Sequence, residues 1–132
     1  IKTFVSLWYS FDESTYENNV TLALNLIGNR GKELYNEYND INMLNSLIQK
    51  NIRYGVIIKD IHINMQTVPI SGDILFTQTG YRARGSVARD ISVNFTLYDV
   101  SRSRENSHGV KIESWDVRYS EPREITDEEK LK

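Results

Sequence analysis

The chain has 132 residues, a formal net charge of -2, 39% hydrophobic and 26% charged residues, and no cysteine. That length fits one domain with one core, and the composition is that of a soluble globular protein. Disulfides, thiolate metal sites and a thiol nucleophile are excluded, and no overall positive field draws the chain towards nucleic acid or an acidic membrane.

The first half has helical periodicity. Phe4, Leu7, Trp8 and Phe11 recur at the spacing of one helical face. Ser10 and Glu13 have capping-box spacing and predict a second helix from about residue 12. Its apolar stripe is Tyr16, Val20, Ala23, Leu24 and Ile27, and Gly28 stands where a C-terminal stop belongs. Leu34, Tyr35 and Tyr38 mark a third helix, and Ile41, Leu44, Leu47 and Ile48 a fourth. No apolar run approaches the ~18 residues of a membrane span. The chain begins at Ile1 without methionine, which suits a processed or trimmed product, from which any upstream anchor or targeting segment would have been lost.

The period then falls to two. Ile57, Ile61, Ile63 and Met65 are predicted on one side of a strand, with Asp60, His62, Asn64 and Gln66 on the other. Pro69 and Ser71-Gly72-Asp73 predict a break, followed by a second strand from Ile74 to Ala83. Val87, Ile91, Val93, Phe95 and Leu97 alternate with Ala88, Asp90, Ser92, Asn94 and Thr96, which gives a half-buried third strand. A polar turn from Ser101 to Gly109 leads into a last strand, Val110 to Tyr119. Its apolar phase slips between Ile112 and Trp115, and a β-bulge near Glu113-Ser114 accounts for that. Pro122 is expected to end the strand. The order of elements predicts an α+β domain over residues 1–121, with N-terminal helices packed on a curved four-stranded antiparallel sheet. Residues 122–132 read as a charged C-terminal tail.

Candidate chemistry is sparse. Asp60 and His62 share a strand face and could hold a metal, but a solvated charged face explains them as well. Gly28-Asn29-Arg30-Gly31 is too short for a phosphate loop and lacks the strand before it. Arg82, Arg84 and Arg89 near Tyr81, with Arg102 and Arg104, could make a single-strand nucleic-acid platform. Asp90, Asp99 and Glu105 beside them favour a mixed-sign surface instead. Asp60, Asp90 and Asp116 could serve as a base only from an apolar site, and the alternation turns all three outward. No nucleophile stands with a base. The chain therefore reads as non-catalytic, with no metal, no cofactor and no direct nucleic-acid partner. Tyr98, on the polar phase of the third strand, is a candidate contact aromatic.

The segment Phe11 to Val20, the stripe Leu22-Ala23-Leu24, Tyr35, Tyr38, Asn51-Ile52 and above all Ser101-Arg102-Ser103, Asn106 to Gly109 and Val110 to Glu113 carry a resemblance. Through them the chain, from about residue 4 to about residue 121, resembles the TraK family of Bacteroides-type conjugative transposons. That family is similar to the periplasmic domain of the inner-membrane assembly component of type IV secretion systems. The resemblance implies a nuclear-transport-factor-like cone and a structural role in a DNA-transfer channel. It implies contacts with other channel proteins, weak self-association and a membrane helix ahead of Ile1, absent from this chain. The expected location is the periplasm, attached to the inner membrane. A small-ligand binder or isomerase-like enzyme of the same cone is the alternative. The broader family's Asn-Pro-x-Gly turn falls on Asn106, Ser107, His108 and Gly109. Ser107 stands where proline would be, so the turn is permitted rather than pre-set, and any contact assigned to it is in doubt.

Overall fold

The computed structural model describes residues 1–83, 85–99 and 110–123. Four helices come first: α1 (Lys2–Tyr9), α2 (Tyr16–Leu24), α3 (Arg30–Asp40) and α4 (Met43–Lys50). Four strands follow: β1 (Arg53–Asn64), β2 (Ile70–Arg82), β3 (Gly85–Asp99) and β4 (Val110–Arg123). The sheet is antiparallel throughout, in the order β1-β2-β3-β4. Strand-after-strand pairing is what short links allow, and the α+β architecture is the one the sequence predicts.

The helices pack on one face of the sheet, which is called the inner face below. β3 gives that face Ile91, Val93, Phe95 and Leu97, all buried. β2 adds Ile74 and Phe76, and β4 adds Ile112 and Trp115. From the helices come Phe4, Val5, Trp8, Tyr16, Val20, Ala23, Leu34, Met43 and Leu47. Aromatic rings join these layers. The Phe4 ring meets the edge of Trp115 at 4.9 Å, Trp8 stacks on Tyr38 at 4.4 Å and Tyr9 lies 4.8 Å from Phe76. Among the described residues, Trp8, Trp115, Phe4, Phe76 and Phe95 are the largest of the fully buried side chains between the helices and the sheet.

Bulges bend the sheet around this core, since an extra residue kinks a strand and increases its twist. The slip expected near Glu113 is present. Thr96 pairs with Ser114 and Leu97 with Ile112, so Glu113 is the extra residue and both Ile112 and Trp115 face inward. A further shift lies between Ser92 and Val93. β1 carries another, between Ile58 and Asp60, and it corrects the expected phase of that strand. Before the bulge Tyr54, Val56 and Ile58 pack on the core, and after it Ile61 does. Ile57 faces the other way, beside Thr77, and Met65 lies past the strand end.

Other boundaries also move. α1 stops at Tyr9, and Phe11 leaves the helical face to form a two-way backbone pair with Tyr54 (3.1 and 2.9 Å). α2 starts at Tyr16, after a turn in which Asp12 Oδ1 accepts the N–H groups of Ser14 (2.9 Å) and Thr15 (3.0 Å). Thr15 Oγ1 in turn accepts the Asp12 N–H at 3.0 Å. These bonds close a turn just ahead of α2, whose N-cap, Thr15, makes no side-chain capping bond, and Ser10 donates instead to the Tyr54 carbonyl. α2 ends at Leu24, before Gly28. In α4 the left-handed Asn42 resets the phase, so Met43 and Leu47 are buried while Ile41 and Ile48 are exposed. Ser71, Gly72 and Asp73 belong to β2 rather than to a break, and Pro122 pairs with Arg89 inside β4.

Candidate functional site

The C-terminal end of α1 gathers polar side chains from distant elements. A helix end leaves carbonyls without intrahelical partners. Here they are taken by side chains from distant elements. The Tyr38 hydroxyl donates to the Trp8 carbonyl, Gln78 Nε2 donates to the Tyr9 carbonyl (2.8 Å), and Asn19 Nδ2 donates to the Ser10 carbonyl (2.9 Å). Trp115 Nε1 donates to the Tyr9 hydroxyl at 3.0 Å. Burial pushes the Tyr9 phenol up to about 12, although the Trp115 bond pulls the other way. Burial likewise holds the Tyr38 phenol well above its ordinary value. Both stay protonated at neutral pH and act as fixed structural pins.

The outer face is different in kind. Its cross-strand rows are His62–Asp73–Asn94–Asp116 and Asn64–Ser71–Thr96–Ser114. They line an open depression of about 490 Å³. His62 lies between two carboxylates: Nδ1 is 3.0 Å from Asp73 Oδ1 and Nε2 is 3.4 Å from Asp60 Oδ2. The Asp73 hydrogen bond, then the Asp60 charge, raises the imidazole above its ordinary value. Asp73 was not foreseen as the partner of His62; its place opposite His62 depends on the β1–β2 register. Among the described residues no group of three His, Cys, Asp or Glu is placed to hold a metal.

The remaining carboxylates fall on this outer side as expected. Asp116 is exposed, and Asp90 is half-buried, accepting a 2.7 Å bond from the Thr77 hydroxyl. A second open cleft, about 470 Å³, lies between the turn at Asp12, the end of α4 and the end of β2. Arg53 and Arg82 line it together with Tyr81, whereas Arg89 does not. Arg53 sits 4.2 Å over the Tyr81 ring, while Arg89 donates to Ser120 on β4 (3.0 Å to its carbonyl). Arg84, Arg102 and Arg104 lie outside the described residues, as do Glu105 and the motif turn Asn106, Ser107, His108 and Gly109.

Tyr98 is on the outer phase, as expected, but it is only half exposed. The chain at residues 26–28 runs beside β4, with Gly28 N–H donating to the Ile112 carbonyl and Ile112 N–H to the Leu26 carbonyl, both at 2.8 Å. The Tyr98 ring covers Gly28 so closely that a Cβ there would stand 2.7 Å from the phenol oxygen. Arg30 Nε reaches the Trp115 carbonyl at 3.3 Å, which ties a further point of the β4 edge. One sheet edge is thus held by the α2–α3 connection and the other by Phe11. No sequence pattern pointed to either contact.

No protein-family profile matches the chain, and no curated protein matches it in sequence. Solved structures do match in fold. The soluble domain of TrwG of the Bartonella grahamii type IV secretion machinery is 16% identical, with a TM-score of 0.67 over 96% of this chain and 92% of that one. The Agrobacterium tumefaciens VirB8 protein is 16% identical, with a TM-score of 0.69 over 95% and 89% of the two chains. An IcmL-like type IV secretion system protein from Legionella pneumophila is 9% identical, with a TM-score of 0.70 over 91% and 86%. The cone of four helices and four antiparallel strands is the fold that these proteins share with this chain.

Proposed function

We propose that the chain is a non-catalytic assembly domain of a conjugative type IV secretion channel, working by protein–protein contact. The carrying observation is agreement in fold over at least 91% of this chain with secretion-machinery proteins of three bacteria. The large rings buried between the helices and the sheet, Trp8, Trp115, Phe4, Phe76 and Phe95, are read here as packing that stabilises the cone. The resemblance to the TraK family narrows the system to a conjugative transposon of the Bacteroides type. On this reading the domain lies in the periplasm, attached to the inner membrane by a helix upstream of Ile1, and its partners are other channel proteins.

Deleting the coding sequence from its element tests this directly. DNA transfer between cells should fall to background and return when the intact gene is supplied in trans. Undiminished transfer would overturn the reading. Two finer proposals belong to it. The turn Asn106 to Gly109 positions β4 for partner contact, and Tyr98 contributes to weak self-association. Sedimentation over a concentration series should show a weakening of association in Tyr98→Ala. A strictly monomeric wild type would remove the self-association claim.

A further inference from the structure

The link between β1 and β2 projects the most exposed apolar side chains of the described residues. Val68 is 99% exposed and Met65 71%, and Ile63 just before them is 44% exposed. From Ile63 to Gly72 the chain has no charged residue. The polar groups of the tip bond to each other. Asn64 Oδ1 accepts the Gln66 N–H (3.0 Å), the Thr67 hydroxyl donates to the Asn64 carbonyl (3.2 Å), and it lies 3.0 Å from the Ser71 hydroxyl. The tip is therefore a tied turn that presents valine and methionine outward.

Its place in the fold gives this tip a partner. Ile70 pairs with Leu97, and Leu97 with Ile112. Ile1 and Thr3 line a small cleft with the same Leu97 and Ile112, and with Val110 and Lys111. The start of α1 and the hairpin tip thus occupy one end of the sheet, whereas Ser10 and Phe11 stand at the opposite end, against Tyr54. Lys2 and Lys111 belong to the first end.

We propose that the tip Met65–Pro69 dips into the bilayer surface next to the point where the chain enters from the membrane. This rests on the membrane-attached reading given above. A protein groove would call for an aromatic or arginine anchor with polar specificity around it, and the tip has neither. Small apolar side chains free of charge suit the acyl boundary of any lipid composition, and the nearby lysines suit anionic headgroups. Tethering makes a shallow insertion sufficient, because attachment supplies the effective concentration that the contact itself does not.

The absence of cysteine makes a single labelled position clean. The full chain carries Val68→Cys bearing a polarity-sensitive fluorophore, with Glu13→Cys at the far end as reference. Each is held by an N-terminal histidine tag on phosphatidylethanolamine–phosphatidylglycerol vesicles containing a nickel-chelating lipid. The tag replaces any native anchor, so the outcome does not depend on whether one exists. The label at residue 68 should brighten several-fold, shift to the blue and be quenched by nitroxide-labelled lipids. The label at residue 13 should not change, and Met65→Asp should abolish the response at residue 68. A water-like label at residue 68 while the protein stays tethered would overturn the proposal. So would the same brightening without vesicles at rising protein concentration, which would assign the tip to a second copy of the chain.

Discussion

The two faces of β3 follow different rules although they alternate residue by residue. Inward, Ile91, Val93, Phe95 and Leu97 lie in one buried apolar cluster with side chains from all four helices and from β2 and β4. Outward, Asn94 lies between Asp73 and Asp116 and Thr96 between Ser71 and Ser114, while Ser92 lies between Leu75 and Tyr119. The inner face is where stability is concentrated, since burial there removes large apolar areas from solvent. The outer face tolerates change and is free to carry contacts. A fold shared at 16% identity or less fits this division, because many sequences can supply an apolar inner face and a polar outer one.

Substitutions at the inner face should therefore be the most damaging. Trp115→Ala removes the ring that meets Phe4, Tyr9 and Phe95 and leaves the Tyr9 hydroxyl without its donor. A loss of about 3–5 kcal/mol is expected in chemical denaturation. A loss as small as an exposed-site substitution would mean that the interior is not packed as described. Gly72→Ala tests the same face by adding volume. Its Cβ would stand 2.4 Å from the His62 carbonyl oxygen and 2.7 Å from the Phe95 ring. A backbone oxygen cannot step aside as a flexible side chain can, so about 1–3 kcal/mol should be lost.

The core side of β3 was legible from its alternation, and the Glu113 bulge from the change of phase between Ile112 and Trp115. Both are local signals, carried by neighbouring residues. Helix ends were less legible, because their partners are remote. Nothing near Tyr9 predicts that Gln78 and Tyr38 will take the last carbonyls of α1, yet those bonds end the helix before Phe11. Ile57 misled for a different reason. The β1 bulge is marked by the change of phase from Tyr54, Val56 and Ile58 to Ile61, but Ile57, apolar and facing the other way, blurs that change in the sequence. Tyr98 was placed on the correct face, but its cover over Gly28 depends on residues 26–28 lying along β4.

Removing a single polar pin should cost less than removing a ring. Tyr38→Phe keeps the stacking on Trp8 and deletes only the hydroxyl that donates to the Trp8 carbonyl. Stability should fall by about 1 kcal/mol, the ordinary worth of such a bond. Amide exchange at Phe11 and Tyr54 should quicken in the same variant, because the end of α1 delivers Phe11 to that edge. Unchanged exchange would mean that the backbone pair of Phe11 and Tyr54 holds the sheet edge without help from the helix end.

The outer face should give the smallest effect and a distinctive pH dependence. His62 is flanked by Asp73 and Asp60, and their hydrogen bond and charges favour imidazolium. A group whose value is raised on folding contributes stability that is fully present below its unfolded value, which is 6.5 for histidine. That contribution is lost as pH rises from there through the folded value. All three side chains are well exposed, so water screens the interaction and the stability change should be slight. An NMR titration resolves what denaturation would not. The His62 ring should titrate above 6.5 in the wild type and move down in Asp73→Asn, because the hydrogen bond that the ring donates to Asp73 is the main cause of the shift. Asp60→Asn should move it less. The reverse ranking would place the ring closer to Asp60 in solution and would weaken the β1–β2 register at His62↔Asp73 on which the row across the outer face depends.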